Sequence, residues 1–273
     1  MTDIEDALNG EGLKNIVGEN NGFYFLARNN ANYLTRQKRC YLADKKFKRA
    51  KKIAWMLSKI PFIKMIAVCN SLGYGNVRED SDIDLFVVTA KNRVWAARLL
   101  SVILIKFLNL RPREGRVKDT ICMSFFVDED NLNLEKFKIS ENDIYLTFWV
   151  AQVFPVYDRG GVYERFFKEN EWIKKILPNA EKREVEFGRV VQIKSNPPNP
   201  PCQGGVLNKN SVQANWLEKF SKKVQSKFMN SRLKEMANKD TRVVVNDGVL
   251  KLFAVDRREE YMKRWMELNQ KGG

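Results

Sequence analysis

Apolar residues along the opening of the chain recur every three or four positions, and from Pro61 onward they fall into alternating or unbroken runs. Ile4, Ala7 and Leu8, then Leu13, Ile16 and Val17, are spaced as two short helical turns. GFYFLARNNANYLTR (22–36) reads as a hairpin, an aromatic strand followed by an Asn-rich turn and a second strand. Helical turns before a hairpin fit either a small winged-helix unit over 1–35 or an N-terminal cap on the main domain. From Arg36 the period returns to that of a helix, with Leu42, Phe47, Ala50, Ile53, Ala54 and Leu57 on one face, and Pro61 ends it.

Beyond Pro61 the pattern changes. KMIAVCN and SDIDLFVVT predict two neighbouring strands, NRVWAARLLSVILIKFLNL a buried helix and DTICMSFFVDED a third strand. Strand, turn, strand, helix, strand is the order of a mixed sheet covered by helices, an α+β fold, with its core over 36–135. Ser140 with Asp143 predicts the capped start of a helix over 141–154, and YERFFKENEWIKKILPN a further helix stopped by Pro178, giving a helical extension over 136–194. SNPPNPPCQGG (195–205) reads as a linker or loop within 195–214. A basic helix from Trp216 to Met236, a hairpin from Thr241 to Phe253 turning at Asp247-Gly248, and a closing helix in DRREEYMKRWMELN complete a mainly helical C-terminal region over 215–273.

Two apolar stretches fall short of the roughly 18 uninterrupted residues of a membrane span. Residues 94–110 are cut by Arg98 and Lys106, residues 144–157 carry Pro155, and both read as buried core helices. No membrane partner is expected. Without a secretory leader pattern or a disulfide framework, the expected setting is cytoplasmic.

Lys and Arg outnumber Asp and Glu by 48 to 33, a net charge of +15, so a phosphate-rich partner enters consideration beside the plain reading of solvated lysines. The charge is concentrated at 36–52, which carries nine Lys or Arg against Asp44 alone. One face of that helix is predicted to pack while the other either touches the phosphates of RNA or DNA or simply faces water. There is no histidine, and Cys40, Cys69, Cys122 and Cys202 form no CxxC pair, which removes imidazole general bases, Ser–His and Cys–His nucleophiles and most structural zinc sites. Any acid–base or metal chemistry falls to carboxylates.

Those carboxylates stand out in NSLGYGNVREDSDIDLF (70–86). Asp82 and Asp84 sit one residue apart in an apolar strand, so both point to one face while Ile83, Leu85 and Val87 point to the other. Adjacent like charges repel, and a cation between them relieves the repulsion. Upstream, a strand ends in Asn70-Ser71, whose small serine lets backbone amides and a hydroxyl approach a phosphate.

A hydrophobic strand, a Gly-Ser-like turn, about ten intervening residues and Asp-hydrophobic-Asp resembles the DNA polymerase β-like nucleotidyltransferase superfamily over roughly residues 61–130. The resemblance implies a nucleotidyltransferase core in which Asp82 and Asp84 hold one or two Mg²⁺ ions. Asn70, Ser71, Arg78 and Ser81 would bind the nucleotide phosphates, and an NTP would give its monophosphate to a hydroxyl of a small molecule, a protein or an RNA end. Two positions depart from the family pattern. Asn70 stands where Gly is usual, and tolerates left-handed backbone better than most residues. The third carboxylate expected on the following strand has no counterpart in TICMSFFV, where the inward polar residue is Ser124, and Asp119 and Asp128 only flank it. A degenerate member that binds nucleic acid through helix 36–52 is the alternative.

Overall fold

The computed structural model describes residues 2–10, 12–29, 31–184, 187–192 and 210–271. Helix α1 (Thr2–Asn9) precedes an antiparallel hairpin of β1 (Val17–Asn20) and β2 (Phe23–Leu26). Asn21 and Gly22 make its turn at φ 49° and 76°, the paired left-handed backbone that matches the twist of a two-residue hairpin. The aromatic strand therefore pairs with residues before it, and the second strand predicted in NANYLTR is instead the opening of helix α2 (Ala31–Leu57). Likewise the predicted turn around Leu13 and Ile16 is not helical and leads into β1. Tyr33 of α2 packs against Phe23 and Phe25, with ring centroids 6.0 and 6.1 Å away, and so ties the hairpin to the helix.

The central elements follow in chain order: β3 (Ile63–Val68), a single turn α3 (Asn70–Gly73), β4 (Ile83–Thr89), α4 (Val94–Phe107), β5 (Ile121–Asp128), α5 (Ile144–Ala151), β6 (Phe154–Asp158) and α6 (Val162–Glu169). Then come α7 (Asn210–Phe228), α8 (Ser231–Met236), the hairpin β7 (Val243–Val245) and β8 (Val249–Leu252), and α9 (Arg258–Lys271). Six strands form one mixed sheet in the order β6-β3-β4-β5-β8-β7, with β4 and β5 parallel and every other pair antiparallel.

Period-two alternation divides β4 between two cores, while register shifts carry β3 across between Ile63 and Met65 and β5 across between Cys122 and Phe125. Ile63, Ile66, Ile83, Leu85, Val87 and Ile121 pack under α2 and α4 around Phe47, Leu57 and Trp95. Met65, Phe86, Val88, Phe125 and Val127 pack on the opposite face with Trp149 of α5 and Phe166 of α6. The Phe86 ring lies 5.0 Å from Phe125 and 5.4 Å from Trp149, an aromatic cluster whose loss through Phe86→Ala costs about 3–5 kcal/mol.

Four predicted boundaries move. The helix read in YERFFKENEWIKKILPN ends as α6 at Glu169, where the buried Asn170 amide turns to the Leu132 and Phe166 carbonyls and a short 3-10 segment, Glu171–Lys175, follows. Helix 141–154 begins later and ends earlier, because Asp143 is itself the cap, accepting the Leu146 N–H at 2.9 Å, while the Ser140 hydroxyl turns to Met262 Sδ at 3.7 Å. The end of the apolar stretch 144–157 forms β6, since Pro155 cannot continue a helix and an edge strand tolerates its missing N–H. The basic helix from Trp216 to Met236 is two helices, with Asn230 capping α8 through the Arg232 N–H at 2.9 Å. The Pro-rich stretch 195–205 lies outside the described residues.

Helix α7 docks on α4 through polar groups. The Glu218 carboxylate accepts the Trp95 and Ala96 N–H groups at 2.8 and 2.9 Å, satisfying an N-terminus that has no side-chain cap of its own. Among the described residues, no helix is long and apolar enough to cross a membrane.

Candidate functional site

The site forms where β3 ends and β4 and β5 begin. Cys69 N–H bonds the Asp84 carbonyl at 3.2 Å, and the chain then turns through Asn70 at φ 53°. Asparagine takes this left-handed conformation at small cost, which accounts for a non-glycine residue at the position. Its side chain is also used: Asn70 Nδ2 donates to Asp84 Oδ2 at 2.8 Å, and Asn70 Oδ1 accepts from the Tyr145 hydroxyl at 3.4 Å. Leu72 anchors the turn in the core, and Gly73 lets it approach α5, since a Cβ there would stand 2.5 Å from the Gln152 carbonyl.

Helix α2 clamps the loop that follows. Arg36 donates to the Gly75 carbonyl and Arg39 Nη1 to Asn76 Oδ1 at 3.1 Å. Lys46, buried despite its charge, reaches the Ser81 carbonyl at 2.7 Å and Asp119 Oδ1 at 2.6 Å. Three of the nine cations read from the sequence as a basic face thus hold the loop leading into Asp82, Arg36 and Lys46 through its backbone and Arg39 through the Asn76 side chain.

Asp82 and Asp84 share the face of the sheet opposite Ile83 and Leu85, as alternation requires. The parallel β4–β5 ladder sets Cys122 level with Asp84, and ligand atoms of Asp82, Asp84 and Cys122 all lie within 4.8 Å of one another. Ser124 stands one step further on the same face, with its Oγ 3.1 Å from the Cys122 sulfur. Burial, and then the Asp84 charge, pushes Asp82 from the ordinary carboxylate range up to about 6. Burial also raises Asp84, opposed by hydrogen bonds from Asn70 and Cys122. Burial and the Asp84 charge raise the Cys122 thiol. Among the described residues, no lysine or arginine forms an ion pair with either aspartate.

The flanking acids stay away from the pair. Asp119 is held by Lys46, and Asp128, at the far end of β5, accepts from Asn92 N–H and Asn131 Nδ2. Arg78 pairs with Asp80 at 3.2 Å and is exposed, and the Ser81 hydroxyl closes its own turn on the Arg78 carbonyl at 2.9 Å. Neither lines a cavity beside Asp84; Arg78 lines a separate one with Lys38 and Lys118. Lys91, Arg93 and Arg98, all near the motif in sequence, bond Asp130, Asn215 and Gln225.

Two cavities meet at the site. One of about 250 Å³ is lined by Asp84, Cys122, Phe125, Lys251, Asp256 and Arg258. The other, of about 590 Å³, is lined by Ser71, Tyr74, Phe148, Tyr261, Arg264 and Trp265, and Asn70, Tyr145, Trp149 and Arg257 border both. Asp82 borders neither. Tyr145, 5.4 Å from the Tyr261 ring, has its hydroxyl pushed up to about 12, chiefly by burial. Burial, then the nearby Arg258 charge, brings the Lys251 amine down to about 7.

Sequence reasoning missed the contribution of the C-terminal hairpin and α9. β8 joins the sheet beside β5, and Arg258 fixes the start of α9 by donating to Asp256, the Thr241 hydroxyl and the Phe137 carbonyl. No local pattern in 241–268 carries a signal for this, because it depends on a strand pairing across more than a hundred residues.

No family model, curated protein or solved structure matches the chain.

Proposed function

We propose that the protein is a divalent-cation-dependent nucleotidyltransferase of the DNA polymerase β-like class, transferring a nucleoside monophosphate from an NTP to a hydroxyl acceptor. The observation that carries this reading is the Asp82–Asp84 pair: two carboxylates on one sheet face, without an ion-pair partner among the described residues, with Asp84 opening into a cavity beside the Asn70-Ser71 turn. The donor set fits a divalent ion. Asp82 and Asp84 offer the oxygen ligands, and the polyphosphate would complete the coordination of a Mg²⁺ ion. When bound, such an ion supplies charge neutralisation along the triphosphate and lowers the pKa of an attacking hydroxyl.

The chain's own groups account for the rest. Asn70 orients Asp84 by its 2.8 Å hydrogen bond, and Lys46 holds the backbone that aims Asp82. Ser71 lines the larger cavity, where Tyr74, Phe148 and Trp265 offer apolar surface for a flat ring. Arg257, bordering both cavities, is placed to meet negative charge between them. Helix α2 has committed Arg36, Arg39 and Lys46 to the loop, which weakens the alternative of a purely nucleic-acid-binding module.

The test is incubation of the purified protein with each α-labelled NTP and Mg²⁺, Mn²⁺ or Zn²⁺, with total RNA, with small hydroxyl acceptors and with itself as acceptor. Label transfer is expected for the wild type and a loss of at least about a thousandfold for Asp84→Asn with an unchanged circular dichroism spectrum. Undiminished transfer by Asp84→Asn removes the assignment.

A further inference from the structure

The Cys122 thiol stands where a third acidic ligand would otherwise complete the pair. We propose that Cys122 is itself a ligand, so that the cation between Asp82 and Asp84 is held by a mixed carboxylate and thiolate set that selects a thiophilic divalent ion such as Zn²⁺ over Mg²⁺. This rests on the reading of the aspartate pair as a cation site.

Three observations carry it. The parallel register sets Cys122 beside Asp84, and its sulfur lies within 4.8 Å of an oxygen of each aspartate. Cys122 is a free thiol, only partly buried, and it borders the same cavity as Asp84, so an ion entering there meets sulfur and oxygen together. Asp119, just before β5, and Asp128, its last residue, are committed to Lys46 and to Asn92 and Asn131, so neither supplies the third ligand.

Coordination chemistry then sets the preference. Zn–S and Zn–O bonds of about 2.3 and 2.0–2.2 Å put tetrahedral ligands about 3.5 Å apart, so the three side chains need close by only about an ångström. A soft thiolate adds strongly to the binding of Zn²⁺ or Cd²⁺ and little to that of Mg²⁺. Binding displaces the thiol proton to solvent, leaving a sulfur–metal bond.

The experiment titrates the full chain with Cd²⁺, Co²⁺ and Mg²⁺ by calorimetry and near-ultraviolet absorption, comparing wild type with Cys122→Ser, Cys122→Asp and Asp84→Asn. Expected are a sulfur-to-metal charge-transfer band in the wild type, its loss in both Cys122→Ser and Asp84→Asn, and a fall of at least about tenfold in Cd²⁺ affinity in Cys122→Ser with Mg²⁺ affinity unchanged. Cys122→Asp should reverse the preference toward Mg²⁺. A band that survives Cys122→Ser or Asp84→Asn places the sulfur ligand elsewhere and overturns the proposal. Mg²⁺ binding lost by Asp84→Asn but indifferent to Cys122, with no wild-type band, overturns the thiolate ligand alone and leaves the aspartate pair standing. Failure of all three ions to bind overturns both.

Discussion

Two sets of buried or half-buried acids in this protein are treated in opposite ways. Asp143 is fully buried and accepts from the Leu146 and Ile139 N–H groups at 2.9 and 3.2 Å, with Arg258 3.6 Å away. Asp128 is equally hidden and accepts from Asn92, Asp130 and Asn131. Asp84 has Asn70 and the Cys122 thiol, and Asp82 accepts from no other residue's donor among the described residues. The first two carboxylates are satisfied within the fold and tie elements together. The other two are left short of donors and face each other, which costs stability unless something positive arrives.

Substitutions can break this contrast. The largest effect is expected for Asp143→Ala, which strips the cap from α5 and leaves the Leu146 and Ile139 N–H groups without their acceptor, while Arg258 keeps its bonds to Asp256, Thr241 and Phe137. Urea unfolding should show a loss of about 2–4 kcal/mol, and a loss under about 1 kcal/mol would mean that Asp143 is not structural.

Asp82→Asn should act in the other direction. Its carboxyl titrates near 6 in the folded chain against 3.8 for an ordinary aspartate side chain, so the native state favours the protonated form. That stabilising preference is complete below about pH 4 and is lost as pH rises through 6. In chelator-treated buffer at pH 7, Asp82→Asn is therefore expected to gain about 1–2 kcal/mol over wild type, the full shift being discounted for partial exposure, and to match wild type at pH 4. A destabilised Asp82→Asn at pH 7 would sink the idea that the pair is frustrated without a cation.

The smallest effect belongs to an acid outside both sets. Glu79 is exposed between Lys38 and Lys118, and Glu79→Gln should leave the melting temperature unchanged within measurement. A clear drop would show that loop 75–81 depends on surface ion pairs as well as on Lys46.

Much of the sheet was legible because the governing signals are local. The alternation in IDLFVVT sets which of its residues face α2 and α4, and Asp247-Gly248 marked the C-terminal hairpin, whereas ICMSFFVD crosses from one core to the other at a register shift that alternation does not foretell. The N-terminal hairpin was misplaced although its signal was present: Asn21-Gly22, between VGEN and FYFL, is a stronger turn dipeptide than the downstream asparagines. The split of 144–157 into α5 and β6 was readable at Pro155, but an apolar stretch that short does not reveal its period.

The sequence by itself determined that Asp82 and Asp84 share a face, since a period of two admits no other arrangement, and that the turn before them could be left-handed at Asn70. It also determined, by the absence of histidine, that carboxylates and thiols are the chemistry available. Tertiary structure alone decided the rest: that Cys122 rises beside the pair, that Lys46 turns inward to brace the loop, and that α9 walls the cavity with Tyr261 and Trp265. The physical reason is range. Strand alternation and turn conformation follow from neighbours along the chain, whereas ladder register, the burial of a charged lysine and the closure of a cavity depend on partners tens to hundreds of residues away, which no local pattern records.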